Sequence, residues 1–290
     1  MTTHKRKLHV TLAIAFVLSA SSLSHGQTRW ARGQNVQPVF EGWERNGDGS
    51  FNFVFGYLNR NYEEEPVVLV GPNNFLEPGD LDQGQPTHFY PRRQQFVFKV
   101  RVPADWGDKD LVWTVVHNGR TDRAYASFLP VWEMNEDVMR LNRGTGSAQG
   151  FGDNQRPSIE VAGDITRSVT LPDSVELVVI ARDDGIPPPN PMLANRARVA
   201  TTRRGPKSQA IVDPRQAAAT GLAVTWVHWR GPGTVMFDPQ VPDIGEGGRA
   251  VTTASFSQPG TYVLQAVADD SVLVSPAYVT VNVNPEPAGP

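Results

Sequence analysis

No cysteine occurs anywhere in the 290 residues. Disulfides and an anchor through a cysteine thioether are thereby excluded, and ordinary hydrophobic cores must supply the stability. Histidine is scarce as well, with only His88, His117 and His228 beyond residue 26. Nor does the chain contain HExxH, CxxC, GxSxG or GxxxxGK[ST], the short patterns that mark zinc hydrolases, thiol or metal pairs, serine hydrolases and phosphate-cradling loops. The expectation is therefore a protein that is not an enzyme. Long apolar runs are also missing: the most apolar stretch, residues 8–18, falls short of the roughly 20 residues a membrane-spanning helix needs. Basic excess is absent too. The 27 Lys and Arg face 30 Asp and Glu, and a weakly acidic surface is a poor match for nucleic acid.

What is present begins with Lys5, Arg6 and Lys7, then the apolar run, then Ser-rich sequence ending Ser24-His25-Gly26. This order is that of a secretory signal cleaved after Gly26, so residues 1–26 read as a signal peptide. The mature chain is expected to be exported, periplasmic or extracellular, without a lipid anchor or membrane span. Its balance becomes 24 basic against 30 acidic residues. Residues 27–37 read as a polar, loosely held leader. The length suits two domains of ordinary size.

From Pro38 a two-residue alternation sets in. PVFEGWERNGDGSFNFVFGYLNRN puts Phe51, Phe53, Phe55 and Tyr57 on one face, with a turn at residues 46–49. QQFVFKVRVP turns Phe96, Phe98, Val100 and Val102 inward, and DLVWTVVHNGRTDRAYASF closes as a hairpin on Asn118-Gly119. Such periods and turns predict antiparallel strands. Residues 38–130 are read as one β-sandwich. On GWERNGDGSFNFVFGYLNRN, VGPNNFLEPGDLDQGQPTHFYPRR and LVWTVVHNGRTDRAYAS, this part resembles a β-rich module of extracellular bacterial and archaeal proteins. The resemblance implies a non-catalytic building block of surface and secreted proteins.

Residues 131–156 lose the pattern and read as a linker, with WEMNEDVMRL able to make about two helical turns before a Gly-rich polar stretch. Residues 157–285 resume it. LPDSVELVVIARDDG, LAVTWVHWRGPG and FSQPGTYVLQAVADDS resemble bacterial immunoglobulin-like domains of the polycystic-kidney-disease and cadherin-like types. Val175, Leu177, Val179 and Ala181 are expected inward, as are Leu222, Val224 and Trp226, and Tyr262 falls where such a sandwich places its corner tyrosine. The predicted fold is all-β, two antiparallel β-sandwich domains, the second immunoglobulin-like, with a long loop at residues 186–220.

Two places attract chemistry. His88 and Tyr90, with Arg92 and Arg93 in one loop, form a candidate anion or sugar site. The pairs Asp183-Asp184 and Asp269-Asp270 end strands that should reach one pole, joined there by Asp238, Asp243 and Glu246. Clustered carboxylates are what calcium requires, so Asp183, Asp184, Asp269 and Asp270 are candidate calcium ligands, although Asp-Asp-Gly also simply ends a strand. The 186–220 loop carries Arg203 and Arg204 among its cations, and its charge offers a competing way to neutralise that pole.

The leading expectation is a non-catalytic exported protein of surface architecture, adhesion or extracellular interaction, with a cell-surface protein or polysaccharide as partner. The alternative is a carbohydrate- or peptide-binding module stacking its ligand on exposed Trp43, Trp106 or Trp229. A third is a hydrolase built on carboxylates without a motif, such as residues 63–65 with Asp80 and Asp82.

Overall fold

A computed structural model describes residues 30–142, 153–190 and 214–287. From Ala31 onward the chain forms one compact unit holding two β-sandwiches. In the first, β1 (Val36–Arg45), β2 (Phe51–Asn59) and β4 (Arg92–Val102) make one antiparallel sheet, and β3 (Asn74–Glu77), β5 (Leu111–His117) and β6 (Arg120–Ala126) the other. The β5–β6 hairpin turns on Asn118 and Gly119, at φ 51° and 71°, as a two-residue turn matched to strand twist requires. Phe53, Phe55 and Tyr57 of β2 meet Phe98, Val100 and Val102 of β4 and Trp113 of β5 in the core. Phe55 stacks on Phe98 at 5.3 Å, and Trp113 meets Phe98 edge-on at 4.9 Å.

Phe96 departs from the expected alternation. The β2–β4 register slips between Phe55 and Tyr57, so Gln95, Phe96 and Val97 bulge opposite Gly56, and Phe96 takes φ 52°. Bulges re-aim side chains in this way. Gly56 permits it, because a Cβ there would lie 2.1 Å from Glu41 Oε1 and 2.4 Å from the Gln94 carbonyl.

The leader is also held more firmly than its polarity suggested. Gln34 N–H donates to Asn61 Oδ1 at 2.6 Å, Asn35 Nδ2 donates to Asp122 Oδ2 at 2.5 Å, and the Ala31 carbonyl accepts from Glu63 and Glu64. Polar side chains with fixed partners anchor it, together with Val36, the first residue of β1, which is fully buried in the first core. Residues 1–29, including the expected signal peptide, lie outside the described residues.

After β6 the chain runs beside β1. Met134 N–H donates to the Trp43 carbonyl at 2.8 Å, and Trp43 Nε1 donates to the Leu129 carbonyl at 3.0 Å. Helix α1 (Glu136–Asn142) follows, capped by Asn135 Oδ1 accepting from Val138 N–H at 3.1 Å. The Gly-rich residues 143–152 lie outside the described residues.

The second sandwich has the immunoglobulin-like strand order. One sheet is β11 (Val235–Asp238), β12 (Arg249–Phe256), β9 (Val175–Arg182) and β7 (Ser158–Val161). The other is β10 (Ala223–Arg230), β13 (Gly260–Asp269), β14 (Val274–Asn284) and β8 (Thr166–Thr170). In chain order these are the ABED and CFG sheets, with β8 added beside β14 as the parallel pair. Leu177, Val179, Val224, Trp226, Leu264 and Ala266 are fully or almost fully buried between them. Tyr262 is the corner tyrosine: its hydroxyl donates to the Gln258 carbonyl at 2.8 Å. Of the 186–220 loop, residues 186–190 and a short helix, α2 (Pro214–Thr220), are described, tied together by Asn190 N–H donating to the Ala218 carbonyl at 2.8 Å. Arg203 and Arg204 lie outside the described residues.

Candidate functional site

The expected His88–Tyr90 loop does not stand open to solvent. It is the part of the first sandwich that closes on the edge of β10, and both faces of that strand are buried as a result. Thr87 N–H donates to the Trp229 carbonyl at 3.1 Å, and His228 N–H donates to the Tyr90 hydroxyl at 2.9 Å. Arg230 holds Asp82 through two hydrogen bonds of 2.7 and 2.9 Å and donates from Nε to the Gln85 carbonyl at 2.8 Å. A register slip between His228 and Arg230 lets Trp229, a residue of the second sandwich, pack into the core of the first.

Inside this seam His88 and His228 stack with ring centroids 4.3 Å apart, and Tyr90 meets His88 edge-on at 4.6 Å. His88 Nε2 pairs with Glu65 Oε2 at 3.0 Å. Neither nitrogen of His228 has a partner, nor has Nδ1 of His88. Burial, reinforced by His88, pushes the His228 imidazole down to about 3, so it stays neutral near pH 7. Burial also pushes the Tyr90 hydroxyl up. The loop's cations are engaged elsewhere: Arg92 lies 4.0 Å over the Tyr62 ring, and Arg93 grips both oxygens of Glu41 at 2.7 Å. Burial raises the Glu41 carboxyl, and Arg93 offsets part of that rise.

Beside the seam a groove of about 870 Å³ runs between the sandwiches. Its floor is the outer face of the β10–β13–β14 sheet, with Val227, Val263, Val267 and Tyr278. The bulged β4 supplies Phe96 and Val97, and α1 supplies Met139. No motif in the sequence marks it, because its walls come from stretches far apart in the chain. The one available signal was AVTWVHW in β10, an unbroken run of buried residues rather than an alternation, which is how a strand covered on both faces reads.

The carboxylates occupy a second region, and the structure brings part of the predicted set together. Asp183 is close enough to Asp270 and Asp184 for both to raise its carboxyl, though burial is the larger cause. Asp269 and Asp270 are buried. Asp270 Oδ1 accepts from Val272 and Leu273 N–H at 2.6 Å each, and Oδ2 accepts from Asn154 Nδ2 at 3.1 Å. Asp269 Oδ1 accepts from Ser271 N–H at 2.7 Å, and Asp184 accepts from Ile186 and Gln155 N–H at 2.8 Å each. Asp238, Asp243 and Glu246 are exposed on the neighbouring loop. Among the described residues no group of three or more His, Asp or Glu is arranged to hold a metal ion. Of the pole's carboxylates, Asp270 Oδ2 accepts from the Asn154 side chain and the other engaged oxygens from backbone N–H groups, while Asp183 Oδ1 is buried without a partner.

The indoles proposed as a stacking surface are corrected by burial. Trp43 and Trp229 are 3% and 7% exposed, each drawn into the first core, and Trp106 packs against that core as a half-buried side chain. Three of the carboxylates proposed for hydrolysis are engaged by partners of their own: Glu64 accepts from Gly33 N–H, Glu65 pairs with His88, and Asp82 with Arg230.

No protein-family profile matches the chain, and no curated protein matches it. Among solved structures, the PKD domain of human KIAA0319 aligns at 19% identity, TM-score 0.24, over 50% of this chain and 97% of that one. Fibronectin(III)-like modules of Clostridium thermocellum CbhA align at 11%, TM-score 0.24, over 88% and 97%. The D00-D0 domain of intimin aligns at 10%, TM-score 0.26, over 85% and 99%.

Proposed function

We propose that the chain is a non-catalytic exported protein acting in cell-surface architecture, adhesion or extracellular interaction, with a surface protein or polysaccharide as partner. Its working parts are a module at residues 38–130 and an immunoglobulin-like domain of the polycystic-kidney-disease type at residues 157–285. The observation that carries the reading is that four carboxylates at the sandwich seam and the acidic pole are engaged by partners within the fold. Glu65 is spent on His88, Asp82 on Arg230, Glu41 on Arg93, and Asp270 on three N–H donors. The signal-like order of residues 1–26 supports export, and no helix among the described residues is long and apolar enough to cross a membrane.

The test is recovery of the protein from its native cell envelope after gentle crosslinking. The expected result is a chain beginning at Gln27, joined to a surface polysaccharide or protein that soluble competitor displaces. A chain retained in the cytosol with its first 26 residues intact, or purified protein that turns over ester, glycoside or peptide substrates, overturns the proposal.

A further inference from the structure

Each sandwich lends the other a ring. Trp229 leaves β10 for the first core, and His88, in the connection between β3 and β4, rests on His228 of β10 with ring centroids 4.3 Å apart. His228 lies on the core side of its strand. It stands opposite Leu264 in the β10–β13 register, and its ring is 5.7 Å from that of Tyr262. The two imidazoles are 4% and 1% exposed, so water reaches neither while the seam is closed.

Little around the rings balances a proton. Glu65 supplies a carboxylate, and it is bound to Nε2 of His88 at 3.0 Å. Tyr90 meets His88 edge-on and accepts from His228 N–H at 2.9 Å, while Tyr57, on β2, accepts from Tyr90 N–H at 3.0 Å. Tyr262 faces His228 from β13. Burial raises all three phenols, which keeps them neutral. Along β10, Arg230 is paired with Asp82 and holds its carboxyl below the ordinary range, so mild acid leaves that pair intact. Neither nitrogen of His228 has a partner, nor has Nδ1 of His88. A proton on His228 would be a buried charge stacked on a second imidazole without a counter-ion in contact, and such a charge is costly until water can reach it.

We propose that His228, stacked on His88 across the seam, is an acid-operated latch: as a neutral ring it holds the sandwiches docked, and taking up a proton parts them while each stays folded. Parting withdraws Trp229 from the first core and uncovers Val263, which packs against that core. Acid thereby presents an apolar patch that neutral pH conceals. Burial first, then His88, pushes the docked ring down to about 3, against roughly 6.5 for a free one. Docking is therefore fully supported above about pH 6.5 and weakens as pH falls toward the docked value. For one proton, the docking equilibrium should fall about thirtyfold between pH 7.5 and pH 5.

The test is amide hydrogen exchange, read residue by residue on isotope-labelled residues 27–290 at pH 7.5 and pH 5 and corrected for the intrinsic rate. Protection measures the opening equilibrium itself, however small the open fraction. The Thr87 N–H, which crosses the seam to the Trp229 carbonyl at 3.1 Å, should exchange through parting, ahead of amides in β2 and β13, the inner strands of their sheets. Its protection should fall about thirtyfold at pH 5, and hardly at all in His228→Phe, which keeps a buried ring without a titrating nitrogen. Thr87 exchanging only together with β2 and β13 would mean that the sandwiches never part while folded, and overturns the proposal. Unchanged Thr87 protection at pH 5, or a fall that persists in His228→Phe, overturns it too. The first two of these results need only the parent chain, so they stand even where His228→Phe does not fold.

Discussion

At the residue scale His228 is the most informative side chain, because its environment opposes its charge. The folded value of about 3 lies below the ordinary value of roughly 6.5, so folding favours the neutral ring. Stability that depends on the neutral ring is complete above about pH 6.5 and is lost as pH falls toward the folded value. His88, the Glu65 carboxylate paired with it, and the Tyr90 and Tyr262 rings surround the imidazole, with the Asp82–Arg230 pair on the same strand edge. Asp183 and Glu41, whose carboxyls are raised, act in the opposite sense, and the measurement is therefore kept above pH 5.5. Between pH 7.5 and 5.5 the parent chain should lose about 1.4 kcal/mol more than His228→Phe in urea unfolding, one proton's worth of linkage. Equal losses would contradict the burial assigned to this ring. Trp226, fully buried between the sheets, should cost about 3–5 kcal/mol as Trp226→Ala, through lost transfer energy and a cavity. A loss below about 1 kcal/mol would contradict its place in the core.

Elements were legible where a two-residue period and a turn residue agreed. The Asn118-Gly119 hairpin, the inward set Leu177, Val179 and Ala181, and the Tyr262 corner all follow from local pattern, because each is decided within a few residues of chain. The β4 bulge was not legible, since nothing in QQFVFKVRVP distinguishes a bulged strand from a regular one. Its cause lies across the sheet, in the space that Gly56 leaves for Glu41 and the Gln94 carbonyl. Gly56→Ala should accordingly cost about 1–3 kcal/mol, as overpacking does, because a backbone carbonyl cannot rotate away; an unchanged urea midpoint would show that the bulge is not so constrained. The acidic pole was legible as a convergence of loops but not in its chemistry, since the sequence does not reveal that backbone N–H groups satisfy Asp269 and Asp270. Millimolar calcium should therefore leave the melting temperature unchanged. A rise that disappears in Asp183→Asn with Asp269→Asn would contradict that reading.

At the scale of the whole molecule, two sandwiches of separate cores are joined by a seam that the sequence hides, because it pairs residues 82–90 with residues 228–231, with partners 138 to 148 positions apart in the chain. The stretch AVTWVHW held the one hint. The bidentate Arg230–Asp82 pair, the Thr87–Trp229 hydrogen bond and the insertion of Trp229 into the first core should make the two sandwiches unfold together, with the groove existing only while they are docked. Scanning calorimetry of residues 27–290 tests this most directly, comparing the parent chain with Arg230→Glu, which sets two like charges against each other at Asp82. A single transition in the parent that divides into two in Arg230→Glu is the expected result. Two transitions already present in the parent, with both midpoints unmoved by Arg230→Glu, would contradict the docked arrangement.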